Sequence, residues 1–249
     1  MRLWYAEHMG TQAQLTRVLK GCLRIEADKQ QSEVNSVQRL MQQMNEVLPR
    51  LNERIARIER TKASRFNIFQ ALRIERRETV LHTPFLAFIL DPSETHAQGT
   101  LFLKKFFETL SRNGKFKAPY TVDAHDWQVS SEIHIGRFGI IDLVVKCPSQ
   151  KYAFVIENKV DASERDRQIG DYSKWMDRNL HDYEIRQIAL LTPDGRMPTS
   201  NEGRHCLTIS YDKDIADFLK SALRDVKAPV VRYVIAQYIK TIERITYAE

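Results

Sequence analysis

Two apolar segments of the chain carry charged residues where a strand core would be expected to exclude them. In "GIIDLVVK" (139–146) Asp142 interrupts a run of Ile, Leu and Val, and in "YAFVIENKV" (152–160) Glu157 and Lys159 do the same. Side chains two apart on a strand point to one face, so Glu157 and Lys159 lie together. The turn "CPSQK" joins the two segments as a hairpin, and pairing about its centre sets Asp142 opposite or nearly opposite Glu157. Two carboxylates in a sheet core repel and are costly to desolvate, unless a divalent cation or the ammonium lies between them. Carboxylates of this kind suit Mg²⁺, with Mn²⁺ as a substitute. A lysine beside them can orient a water nucleophile or offset charge building on a phosphoryl oxygen, which is the chemistry of phosphodiester hydrolysis. The plainer alternative is a buried ion pair tying two strands. Such pairs add little over apolar replacements, and three charges on one inner face favour a site.

The elements that must position these residues follow from periodicity. "WQVSSEIHI", "GIIDLVVK" and "KYAFVIENKV" read as three strands in a meander, "RQIALLT" as a fourth and "HCLTISY" as a fifth. Ahead of them, "RFNIFQALRI" predicts a short helix. "RRETVLHTPFLAFILDP" predicts another that stops at Asp91-Pro92, with Glu78 and His82 four apart on one face. Residues 101–111 form a third. Asp161 or Ser163, with Glu164 three beyond Asp161, marks a capped helix after the lysine strand, on which Gln168 and Tyr172 again stand four apart. "IADFLKSAL" and "VVRYVIAQYIKTIERIT" end the chain as helices interrupted near Pro229. The expected class is α/β, a small mixed sheet flanked by helices.

The first 63 residues are different. From Val34 to Ile58 apolar residues recur at alternating spacings of three and four (Val34, Val37, Met41, Met44, Leu48, Leu51, Ile55, Ile58), a heptad seam. This predicts a helical arm over 1–63 ahead of a second domain over 64–249. The seam pairs either with a preceding helix at about 11–27 or with a second copy of the chain through 34–58. Pro49 predicts a kink or break near Leu48.

Composition narrows the classes. The 249 residues are 43% hydrophobic and 28% charged, an ordinary folded composition. No apolar run is long enough to span a bilayer, and Cys22, Cys147 and Cys206 are too scattered for a disulfide framework or a zinc knuckle, which fits a reducing cytoplasm. Lys and Arg exceed Asp and Glu by 38 to 32, a net charge of +6 that favours anionic partners. Between 101 and 120, Lys104, Lys105, Arg112, Lys115 and Lys117 alternate with Phe102, Phe106, Phe107, Phe116 and Tyr120. The reading is a buried aromatic face beneath a solvated basic one, with phosphate contact open to the lysines.

Asp142, followed after fourteen residues by Glu157-Asn158-Lys159, resembles the D-x(n)-(D/E)-x-K signature of the PD-(D/E)xK nuclease superfamily, whose core is α-β-β-β-α-β. "ETVLH" (78–82), the Leu-Asp-Pro loop, "IENK" and Gln168-x3-Tyr172 resemble a bacterial branch with a RecB-like Q-x3-Y motif, over about 64–210. The resemblance implies a restriction-endonuclease-like core and a Mg²⁺-dependent enzyme acting on DNA in defence or repair. Asp142 and Glu157 would then be metal ligands, Lys159 the catalytic lysine, Glu78 the acid completing the site, and His82 a further ligand. Gln168 and Tyr172 would support the site and substrate. Read alone, His82 is a hydrogen-bonded helix residue, and Gln168 and Tyr172 are a polar stripe. His96, Glu132 and Glu164 are weaker candidates near the site. A non-catalytic nucleic-acid-binding scaffold working through its helical arm is the alternative. A zinc site from His82, His96 and a cysteine has no support in the spacing.

Overall fold

The computed structural model describes the backbone of residues 2–112, 116–163, 165, 167–199 and 205–247, and the side chains of these except 2–16, 22, 27 and 137. Glu164 and Lys115, and the side chains of Leu15 and Cys22, lie outside the described residues. The chain divides into two compact units, Met1–Phe66 and Asn67–Glu249.

The first unit is a single helix, α1 (Arg2–Lys62). A hairpin between residues 11–27 and 34–58 therefore does not form. The connecting "ADKQQSE" contains neither Gly nor Pro and offers the backbone nothing to turn on. Helical hydrogen bonding also runs on past Pro49, so the expected break is absent. One missing donor does not end a helix of 61 residues. The helix stops at Ala63, which takes the left-handed conformation (φ 44°) while its N–H still donates to the Glu59 carbonyl at 2.8 Å.

In the second unit a five-stranded sheet runs in the order β1-β2-β3-β4-β5. β1 (Gln128–His134), β2 (Ile140–Cys147) and β3 (Tyr152–Asn158) form an antiparallel meander. β4 (Ile185–Thr192) and β5 (Leu207–Ser210) add parallel to β3. The short helix α2 (Ile68–Ala71) and a wide turn at Glu78–His82 lead into α3 (Thr83–Leu90), followed by α4 (Leu101–Arg112). α5 (Gln168–Asn179) crosses from β3 to β4, and α6 (Ala216–Asp225) and α7 (Pro229–Thr246) close the fold. The sequence of helix, meander, helix and strand matches the α/β expectation.

Both faces of the sheet are covered, which is why every residue of β3 is buried. On one face Leu143, Val145, Phe154 and Ile156 pack beneath α3, α4, α6 and α7. On the other, Val144, Val155, Ile188 and Leu190 pack beneath Ile169, Tyr172 and Met176 of α5. Phe102, Phe106 and Phe107 of α4 are buried on the first face, so the basic helix lies on the side of the sheet away from α5. Lys105 there pairs with Asp225 at 3.0 Å, and Tyr120 is exposed.

α5 begins later than the sequence indicates. Arg167 sits in the left-handed region (φ 61°), and Asp161 pairs with Arg76 instead of capping a helix. Asn67 anchors the start of the unit. Its Oδ1 accepts from Phe69 and Gln70 N–H at 2.9 and 3.3 Å, and its Nδ2 donates to the Gln237 carbonyl and Thr241 Oγ1 at 2.8 and 3.0 Å. Removing a helix cap and two buried hydrogen bonds together predicts that Asn67→Ala destabilises this unit by about 1–3 kcal/mol. Chemical denaturation followed by tryptophan fluorescence measures it, and an unchanged midpoint would refute the anchoring role.

Candidate active site

Leu143 is the partner of Ile156 across the β2–β3 ladder, so the next residues outward are Asp142 and Glu157. Both lie on the α5 face, at the end of β3 where the antiparallel ladder stops. Lys159 follows on the same face, its backbone N–H held by the Leu191 carbonyl of β4 at 2.8 Å. Its Nζ lies 2.5 Å from Glu157 Oε1, 3.8 Å from Asp142 Oδ2 and 4.0 Å from Glu78 Oε2. Three carboxylates, from β2, β3 and the turn before α3, thus meet around one ammonium.

Each carboxylate is fixed by its own device. Asp142 Oδ2 accepts the backbone N–H of Asn158 at 2.8 Å. Glu78 Oε1 accepts three successive backbone N–H groups, from Val160, Asp161 and Ala162 at 2.7, 3.2 and 3.4 Å, leaving Oε2 toward Lys159. This clamp ties the turn after β3 to the wide turn at 78–82, where Thr83 N–H reaches back to the Glu78 carbonyl, a local widening often found at functional sites. Glu157 is fully buried, and its Oε2 accepts from the Tyr172 hydroxyl at 2.5 Å. Gln168 Nε2 donates to Tyr172 Oη at 2.8 Å, and Gln168 Oε1 accepts Arg165 N–H at 2.9 Å. Glu157 Oε1 has the Lys159 ammonium as its ion-pair neighbour but no aligned hydrogen bond.

Titration follows from this crowding. Burial raises Glu157 to about 7, with the neighbouring Asp142 charge adding to the rise and Lys159 and Tyr172 opposing it. Burial likewise raises Asp142, against the pull of Lys159 and the Asn158 N–H. Burial would lower Lys159, but the Glu157, Asp142 and Glu78 carboxylates outweigh it and raise it. Lys159 therefore stays an ammonium, while the two strand carboxylates resist carrying full charge together.

The other expected site residues are elsewhere. His82 is buried on the far side of the turn, its Nε2 donating to the Glu75 carbonyl and its Nδ1 accepting from Tyr238 OH, both at 2.9 Å. Both ring nitrogens are engaged, and neither is presented to the carboxylates. His96 bonds the Asp91 carbonyl and the Gln98 N–H and is flanked edge-on by Phe88 and Phe102, a loop-folding role. Glu132 is exposed. It lies in the left-handed region (φ 52°), where the β1–β2 register skips from Ser131↔Leu143 to Ile133↔Ile141, directly across from Asp142.

Strand alternation places the Asn158 side chain on the face opposite Glu157 and Lys159. That placement holds for its side chain, whose Nδ2 donates to Thr83 Oγ1 at 3.0 Å and whose Oδ1 accepts from Tyr211 OH at 2.8 Å. Its backbone N–H, however, orients Asp142, so the residue anchors the strand end from behind. No signal in one sequence marks this, because Thr83 and Tyr211 are distant in the chain. Arginines surround the loop after the site. Arg76 pairs with Asp161, Arg165 Nη2 donates to the Phe138 carbonyl at 3.1 Å, and Arg196 Nη2 donates to the Ala162 carbonyl at 3.5 Å. Gly139 (φ 107°) lets Arg165 approach, since a Cβ there would sit 2.5 Å from Nη2.

The sequence profile of the PD-(D/E)XK nuclease superfamily matches residues 66–240. The chain belongs to the PD-(D/E)XK nuclease superfamily. The match spans the whole sheet and the Glu78, Asp142, Glu157 and Lys159 constellation. Comparisons with curated proteins and with solved structures return no significant match. Members of this nuclease superfamily typically use divalent metal ions. Among the described residues no group of three or more His, Cys, Asp or Glu side chains is arranged so as to hold a metal ion. The donors nonetheless fit a hard cation. Asp142 and Glu157 present carboxylate oxygens side by side at one strand end, and Mg²⁺ is commonly held by one or two carboxylates with waters completing its shell.

The buried His82 yields a stability prediction. Desolvation lowers it from 6.5 to about 4, so below pH 6.5 the unfolded chain binds a proton that the folded chain resists. Stability from this residue is complete above pH 6.5 and is lost as pH falls toward 4, by up to about 3 kcal/mol. The raised Glu157 and Asp142 act in the opposite sense, so the informative quantity is a difference: His82→Gln should flatten the fall in Tm between pH 7 and 5 relative to the unaltered protein. Parallel Tm curves would refute the neutral, buried His82.

Proposed function

We propose that the protein hydrolyses phosphodiester bonds of DNA with Mg²⁺, or Mn²⁺ in its place, held by Asp142 and Glu157 with Glu78 completing the acidic set. The observation that supports this most directly is the Lys159 ammonium within 4.0 Å of three carboxylates. A structural ion pair needs one carboxylate. Three around a single cation leave surplus negative charge that a divalent ion balances. Bound there, the ion supplies Lewis-acid stabilisation of charge on phosphoryl oxygens and an acidified water.

The remaining roles belong to the chain. Lys159 donates from Nζ toward the attacking water or a phosphoryl oxygen while Glu157 holds it in place. Tyr172, kept protonated by burial and by the Glu157 charge, fixes the Glu157 carboxylate through its hydroxyl, and Gln168 fixes Tyr172. Glu78 holds the loop after β3 through Oε1 and offers Oε2 inward. Arg76, Arg165 and Arg196 supply a basic rim for a polyanionic backbone, in keeping with the +6 net charge. Catalysis resides in residues 64–249, with 1–63 as a helical arm, and a role in defence or repair in the cytoplasm accords with this chemistry. Among the described residues no helix is long and apolar enough to cross a membrane.

Purified protein should cut plasmid and linear DNA with Mg²⁺, and Asp142→Asn or Lys159→Met should slow cutting by about 10²–10³-fold. Tyr172→Phe, which removes one hydrogen bond to a charged group, should slow it by about tenfold. Calorimetric titration should show Mg²⁺ binding that Asp142→Asn abolishes. Cutting unaffected by Asp142→Asn sinks the assignment. DNA binding without cutting under Mg²⁺ or Mn²⁺ points instead to a scaffold that has kept the fold.

A further inference from the structure

We propose that α1 pairs with the α1 of a second copy of this chain as a parallel, in-register, two-stranded coiled coil over Val34–Ile58. The eight residues of the seam are between 42% and 61% exposed, although they are Val, Met, Leu and Ile, and the flanking Leu40 and Val47 are 58% and 60% exposed. A stripe this long on a soluble helix requires a cover, and four uninterrupted heptads are enough to form one.

The seam's limits identify its occupant. With Val34, Met41, Leu48 and Ile55 at a positions and Val37, Met44, Leu51 and Ile58 at d positions, the next d position upstream is Gln30 and the next a position downstream is Lys62. The apolar run therefore has defined ends, and a second copy supplies a seam of identical length. In-register pairing sets Val on Val, Met on Met, Leu on Leu and Ile on Ile. A slip of one heptad would leave four apolar residues facing none. Pro49 falls at a b position, on the outer surface, and its ring stays out of the seam.

Charge selects the direction. In a parallel pair the g residue of one helix meets the e residue five positions on in the other, which joins Arg54 to Glu59 twice across the symmetric interface. The remaining e positions on this side, Gln38, Asn45 and Asn52, are uncharged, so no like-charge pair opposes it. An antiparallel pair centred near Glu46 would also match apolar residues, Val34 against Ile58 and Met44 against Leu48. It would set Arg54 against Leu40 and Glu59 against Gln31, stranding both charges. Glu59 already accepts from Ser64 and lies 3.7 Å from Arg65, which holds its carboxylate at the helix end. Parallel pairing attaches both catalytic units at the same end of the coil. The inference rests on α1 alone and stands or falls independently of the nuclease activity.

Light scattering on the full chain should return twice the chain mass of 29.1 kDa. Leu48→Lys with Leu51→Lys should weaken association by at least about a hundredfold, giving monomer. In a Cys22→Ser background, Met44→Cys alone should form an intermolecular disulfide under mild oxidation. An antiparallel pair would instead crosslink only when Met44→Cys and Leu48→Cys proteins are mixed. A monomer at all concentrations, a mass of three or four chains, the mixed crosslink alone, or a dimer that survives both lysine substitutions would each overturn the proposal. Circular dichroism on the double-lysine variant guards against loss of the helix itself, and the Met44→Cys crosslink tests the pairing without disturbing the seam.

Discussion

Bringing Asp142 and Glu157 together at the end of a buried hairpin is electrostatically unfavourable, and much of the second unit is arranged to hold that convergence. Each ion withdrawn from water costs several kcal/mol, and like charges in contact add to the cost. Lys159 relieves part of the strain, and burial keeps the rest, since Glu157 is fully enclosed and shifted to about 7. A flexible loop would relax by moving the carboxylates apart. Rigid β-structure buried on both faces cannot, because Glu157 is paired with Leu190 of β4 and follows directly on the Ile156–Leu143 pair with β2.

The opposite side of the same strand end supplies the restraint. Asn158 joins Thr83 and Tyr211, while His82 joins Tyr238 and the Glu75 carbonyl. These groups are neutral: burial holds His82 deprotonated and raises Tyr211 and Tyr238. Hydrogen bonds among neutral groups in an enclosed setting are directional and avoid the cost of isolated charge, so they suit an anchor. The charges are thus confined to one face of β3 and the anchors to the other. Glu78 links the two, since its turn also carries His82 and its carboxylate clamps the three N–H groups that follow Lys159.

The two units also differ in how completely they satisfy their own apolar surface. Residues of the sheet unit bury two clusters against one another across both faces of β3. α1 leaves its whole seam exposed, from Val34 to Ile58. The first unit's order within a monomer rests on helix propensity and on terminal features such as Arg60 and Lys62 in its last turn, which complement the helix dipole. Helices of this kind gain most of their stability from packing, which makes the seam the energetic weak point of an isolated chain.

What the sequence revealed and what it hid divide along the range of the interactions involved. Asp142, Glu157 and Lys159 were legible because strand alternation and a five-residue turn fix their relative faces without distant information. The helix-strand order was legible for the same reason. The three-donor clamp made by Glu78 was not, because it joins residues more than eighty positions apart through backbone groups that have no sequence signature. His82 enters as a ligand only through the family resemblance; read alone it is a hydrogen-bonded helix residue, and the Glu75 carbonyl with Tyr238, 156 residues away, supplies those bonds. The start of α5 was misplaced because a capping pattern at Asp161 competes with Arg76, whose guanidinium binds that carboxylate. For α1 the period announced an apolar face correctly, but a heptad pattern states only that a face needs covering. Whether the cover comes from the same chain is decided by the linker, and "ADKQQSE" continues the helix where a fold-back would need a breaker.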